Sequence, residues 1–219
     1  MKGDRRKVIA GVCLLAALFL GSRVMRGIRG VGFSGDPAKP SADVRPLPVF
    51  ELPVPEGTAD RTYLGISGTG TFKVADISAR VLIIEVFDSD CPYCRNAAPM
   101  IEEVYRQIEG REDLRDRIKI IGIASGNSPY EVGLFKEKYH VSFPLFADGE
   151  RRAARSFHVL GTPTFIAARI KKKGTAERFY LYLGSFEHPS QFLADIVKRS
   201  GMDRGPPLSS VPPHPKCFS

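Results

Sequence analysis

The chain has 219 residues, 43% hydrophobic and 26% charged, the proportions of one ordinary globular domain with appendages. Net charge is +8, but residues 1–30 hold seven Lys and Arg against Asp4 alone (+6), so the other 189 residues carry only +2. That leaves no basic face suited to nucleic acid and excludes it as a partner.

The basic flank brackets "VIAGVCLLAALFL" (8–20), a 13-residue apolar run of signal-core length and short for a membrane span. A cleavage site wants small residues at −3 and −1, yet cutting after Gly21 places Phe19 at −3 and cutting after Ser22 places Leu20 there. Residues 1–29 are therefore read as an uncleaved anchor, with a cleaved signal as the alternative. Arg23 and Arg26 snorkel to lengthen the span, and Lys2, Arg5, Arg6 and Lys7 keep the N-terminus in the cytoplasm, so the remainder is exported. Cys13 lies inside the apolar run rather than after it, which argues against a lipidated cysteine.

Residues 30–60, with prolines at 37, 40, 46, 48, 53 and 55, predict an extended tether ahead of a domain spanning 61–200. A Gly-rich centre between two β-prone runs predicts a hairpin over 61–77. "RVLIIEVF" (80–87) is continuously apolar, the pattern of a strand buried on both faces. A helix follows "CPYC", with Ala97, Ile101, Val104 and Ile108 on one stripe and Gly110 as its stop. Beyond it come a buried strand at 117–124, a helix opened by Pro129, a short strand at 143–148 and a short helix at 149–157. An antiparallel pair (162–170 and 177–186) and a helix at 189–200 complete the pattern. Alternating strands and helices ending in a hairpin and helix define an α/β fold with a mixed central sheet. Residues 201–219, proline-rich from Gly205, predict a disordered tail.

Cys91 and Cys94, separated by Pro92 and Tyr93, decide the function. A zinc site needs four ligands, but the other cysteines are Cys13 and Cys217, and no His pair has ligand spacing. A copper site usually spaces its cysteines more widely, and His158 is the one nearby candidate ligand. No metal or cofactor is expected. A disulfide closing so small a loop constrains the unfolded chain little, which suits exchange better than stabilisation. A helix starting at Cys91 also points free N–H groups and its positive dipole end at that sulfur, favouring the reactive thiolate. The pair is read as a redox couple.

A buried strand, then C-P-x-C opening a helix, then "GTPT" before a strand resembles the thioredoxin superfamily. Within it, the chain is similar to the TlpA/ResA-like branch of exported, membrane-tethered thiol-disulfide oxidoreductases, over about residues 50–200. Besides "CPYC", the resemblance rests on Glu85, six residues before Cys91; Pro99, eight after it; and "GTPT", where Pro163 matches the family's cis-proline. The strand–helix–strand insert at 117–148, between the active-site helix and the cis-proline strand, matches this branch too. The resemblance implies that Cys91 attacks a substrate disulfide, that Cys94 resolves the mixed disulfide, and that Glu85 carries the proton. It also implies that Thr162 and Pro163, beside Pro92 and Tyr93, dock the substrate. The implied partners are disulfide-containing exported proteins and an upstream membrane or periplasmic thiol donor.

The chain departs from the family where Asp90 replaces a common Trp, with Asp88 nearby. Both carboxylates are expected to oppose a thiolate at Cys91, against Arg95 and the helix dipole, and to favour a reductase. An oxidase or isomerase, or a non-catalytic binding module, stands as the alternative. A peroxiredoxin is excluded, since its motif wants a proline and a hydroxyl residue where this chain has Ile84 and Asp88.

Overall fold

A computed structural model describes residues 44–171 and 174–204. The expected anchor (1–29), the first part of the expected tether (30–43) and the tail from 205, with Cys13 and Cys217, lie outside these residues.

Two short strands, β1 (Arg45–Pro46) and β2 (Glu51–Pro53), precede helix α1 (Thr58–Leu64), which ends at Gly65 in a left-handed conformation. Strand β3 (Thr71–Lys73) leads through a 3₁₀ turn (Val74–Asp76) into β4 (Val81–Phe87). Helix α2 (Pro92–Glu109), β5 (Ile118–Ser125), α3 (Pro129–Lys138), β6 (Leu145–Asp148) and α4 (Arg152–Ser156) follow. The described residues finish with β7 (Thr164–Lys171), β8 (Thr175–Leu183), α5 (Pro189–Ser200) and a second 3₁₀ turn (Met202–Arg204).

The main sheet has the order β1-β8-β7-β4-β5-β6. Strand β4 is parallel to β5 and antiparallel to β7, which makes the sheet mixed. Every residue of β4 and of β5 is buried, because helices cover both faces. Side-chain alternation divides β4 between them. Ile83 and Phe87 join the apolar faces of α2, α3 and α5, whereas Leu82, Ile84 and Val86 pack with Leu64, Phe72, Ala153 and Phe157. Glu85 falls in the first register. Helix α2 buries the stripe Ala97, Ile101, Val104 and Ile108 and runs through Pro99 without ending.

The N-terminal expectations require correction. Residues 61–77 do not form a hairpin: 61–64 are the end of α1, and β3 pairs instead with β2, at Leu52↔Phe72. Residues 44–60, expected to be tether, are part of the fold, with Leu47 and Leu52 buried in the core. Pro46 and Pro53, two of the prolines that suggested a tether, sit in short edge strands, where a missing N–H is tolerated. At the other end, Met202 is buried, so the fold continues past residue 200. None of the helices formed by the described residues is long and apolar enough to cross a membrane.

Candidate active site

The parallel strands β4 and β5 end at the same edge of the sheet, and the loops after them meet there. Loop 88–91 leaves β4 and delivers Cys91 to the N-cap of α2, in extended conformation (φ −68°, ψ 120°), with Pro92 opening the helix. Proline suits that place because the first helical N–H has no intrahelical partner. One helical turn sets the two sulfurs apart in environment. Cys91 is partly exposed, Cys94 is fully buried, and both are free thiols. Tyr93 between them is 65% exposed.

Seventy-one residues downstream, the loop before β7 closes over this helix end. The Thr162–Pro163 peptide is cis. Cys91 Sγ donates to the carbonyl of Thr162 at 3.3 Å, and Thr164 Oγ1 donates to the carbonyl of Gly161 at 2.6 Å. The N–H of Gly184 donates to the Pro163 carbonyl at 2.8 Å, tying the loop to the end of β8. The structure thus gathers Cys91, Pro92, Tyr93, Cys94, Thr162 and Pro163 at one edge, and Glu85 is buried in β4, the strand that leads to it.

Electrostatics separate the two thiols. Burial disfavours the Cys91 thiolate, but hydrogen bonds from Thr162, from the amide and thiol of Cys94 and from the amide of Tyr93 outweigh it. Cys91 is therefore held below the ordinary thiol range. Its contact with the Thr162 carbonyl belongs to the neutral thiol, since a carbonyl can only accept; ionisation breaks that bond and leaves the donors. Burial pushes Cys94 the other way, up to about 12, although the Asp88 amide favours its anion. That N–H lies 3.4 Å from Cys94 Sγ.

Glu85 is 2% exposed, and burial raises its carboxyl to about 8. Its Oε1 is buried without a hydrogen-bond partner. A lone carboxyl in an apolar strand retains its proton at neutral pH because the anion has nothing to replace its water.

The acids flanking Cys91 are engaged differently from the sequence expectation. Asp88 Oδ1 accepts the N–H of Asp90 at 3.0 Å, and Asp90 pairs with Arg95 Nη2 at 2.9 Å. Arg95 Nε also donates to the Ser89 carbonyl at 2.9 Å. These bonds shape the loop that carries Cys91. His158 is exposed just past α4, and no cluster suited to a metal occurs among the described residues.

Sequence reasoning missed Asn127, in the loop after β5. It is 4% exposed and bonded to Ser89 across 38 residues. The available signal was a polar residue just past the C-terminal end of a buried parallel strand, where site loops gather.

Fold and site together define a thioredoxin-like protein with a Cys-x-x-Cys pair at the start of helix α2. The AhpC/TSA family matches residues 45–185, well over half of the chain, and the chain belongs to that family. A candidate thiol:disulfide interchange protein DsbE from Chlorobium tepidum is similar in structure, with a TM-score of 0.54 and 17% identity over 73% of this chain and 99% of that one. A candidate thioredoxin from Neisseria meningitidis gives a TM-score of 0.51 and 20% identity, over 70% of this chain and 88% of that one. A thioredoxin family thiol:disulfide interchange protein from Chlorobium tepidum TLS gives 0.50 and 17%, over 74% and 99%. At such identities the likeness speaks to the fold. No curated protein shows a significant match.

Proposed function

We propose that this protein is a thiol-disulfide oxidoreductase that reduces disulfides in exported proteins. The observation that carries the reading is the asymmetry of the pair: Cys91 is accessible and held below the ordinary thiol range, while Cys94 is buried and held far above it. The Cys91 thiolate attacks one sulfur of a substrate disulfide, breaking that S–S bond and releasing the other sulfur as a thiolate. Cys94 then attacks the Cys91 sulfur of the mixed disulfide. The Cys91–Cys94 disulfide forms, the second substrate thiol leaves, and the protein is oxidised as the substrate is reduced.

Cys94 must lose a proton for the second attack, and the fraction of Glu85 that is ionised at a given moment receives it. The two groups share one face of the β4–α2 layer, and a carboxyl raised to about 8 can exchange a proton near neutrality. Thr162 and Pro163 present the loop over which an extended substrate segment lies beside Cys91, with Pro92 and Tyr93 on its other flank. A reductase is favoured by Asp88 and Asp90, whose negative charges beside Cys91 oppose the strongly stabilised thiolate that makes a strong oxidant. The basic and apolar N-terminal sequence supports an anchored domain on the extracytoplasmic side, recharged by a membrane or periplasmic thiol donor.

Equilibration with glutathione tests the direction. A reduction potential well below the glutathione couple fits the reductase, and one well above it makes the protein an oxidant.

A further inference from the structure

Asp88 and Ser89, in the loop that leads into the motif, are held from outside it. Asp88 touches both cysteines: its N–H reaches Cys94 Sγ at 3.4 Å, and its carbonyl accepts the N–H of Cys91 at 3.1 Å. Asn127 fixes the Asp88–Ser89 peptide with three side-chain bonds. Its Oδ1 accepts the N–H of Ser89 at 3.0 Å. Its Nδ2 donates to Ser89 Oγ at 2.9 Å and more weakly to Asp88 Oδ1 at 3.5 Å.

The clamp is itself built into the fold. Gly126, with φ +87°, turns the chain at the end of β5, and its N–H donates to the Asp148 carbonyl at 2.8 Å. A Cβ at that position would come within 2.7 Å of Arg151 Nε and would also have to hold a left-handed conformation. The turn therefore accepts little but glycine and aims Asn127 under the active-site loop. A buried side-chain amide with its oxygen and nitrogen both engaged is a rigid strut.

We infer that Asn127 is a positioning residue for the resolving step, holding the Asp88 N–H on the Cys94 sulfur as that sulfur becomes an attacking thiolate. The inference rests on the proposed exchange function. An N–H donor gains most when its acceptor carries charge, and Cys94 bears full negative charge only on its way to attack Cys91. Formation of the mixed disulfide uses Cys91, whose anion is supported by Thr162 and by amides inside α2 rather than by Asp88. Loosening the clamp therefore acts on the second step more than on the first.

The test uses the full chain with Asn127→Ala and Asn127→Asp, a disulfide-containing protein substrate, and acid-quench trapping to follow both steps. Asn127→Ala is expected to slow resolution about tenfold, the loss of one hydrogen bond to a charged group, and to change formation by less than about twofold. Asn127→Asp keeps an oxygen that accepts from Ser89 but loses the donor and adds negative charge facing Asp88 and the Cys94 sulfur, so its resolution rate is expected to fall at least as far as that of the Ala variant. Should Asn127→Ala not fold, Asn127→Asp alone must still slow resolution relative to formation. Equal slowing of both steps, or a lowered melting temperature with the ratio of the two rates unchanged, would reduce Asn127 to a structural tie and overturn the inference. Failure of the wild-type protein to form any mixed disulfide would instead strike the proposed function itself, and so the two failures are distinguishable.

Discussion

Glu85 is buried, chargeable and unpartnered at Oε1, and its behaviour with pH follows from that. Folded, it keeps its proton up to about 8, whereas an ordinary glutamate releases it near 4.5. Between those values the native state binds more protons than the unfolded state, so stability falls as pH rises through the window and levels off above it. Each unit of the gap corresponds to about 1.4 kcal/mol. Glu85→Gln should remove this slope, which chemical denaturation at pH 5, 6.5 and 8 will show. The same substitution leaves Cys91 untouched, so the mixed disulfide should form at a near-normal rate and resolve about 10²–10⁴-fold more slowly, the range for loss of a general base. Stopped-flow turnover across pH checks this; unchanged resolution at every pH returns Glu85 to a structural part. The thiols yield a simpler test. Reduced protein should be alkylated by iodoacetamide at Cys91 far faster than at Cys94, with a Cys91 half-point below 9, its ordinary value. Equal rates at the two cysteines would contradict the assignment of the nucleophile.

Individual elements differ in how plainly the sequence announces them. Strands β4 and β5 are buried on both faces, so unbroken apolar runs mark them, and α2 is marked by its stripe and by Pro92 at its start. Strands β2 and β3 are three residues each and find each other across α1, a pairing that no local pattern encodes. The Gly-rich stretch "GISGTGT" reads locally as a hairpin turn because it lies between β-prone residues, but its first glycine, Gly65, instead ends α1. The core role of β2 is open to measurement. Leu52, packed in the cluster with Phe72 and Ile84, should cost about 2–5 kcal/mol when replaced by alanine, the range for a buried leucine. A loss below about 0.5 kcal/mol in urea unfolding would mean that residues 44–60 are a tether after all.

At the scale of the whole molecule, the cysteine motif and its chemical logic are visible in one dimension, whereas the supports around it are not. Cys91, Cys94, Glu85 and Pro163 stand out by residue type and spacing. Asn127 does not, since an asparagine in a loop is unremarkable until its bonds to Ser89, 38 residues earlier, are seen. Asp88 and Asp90 were legible as charges, whereas their bonds within the loop and to Arg95 appear only in the folded chain. The central claim is that one sulfur attacks and the other resolves. Trapping with single-cysteine variants tests it most directly. Incubated with a disulfide-containing protein, Cys94→Ser should accumulate a mixed disulfide through Cys91, stable to acid quench and reversed by dithiothreitol, while Cys91→Ser accumulates none. Adducts of equal yield on both variants, or none on either, would contradict the account.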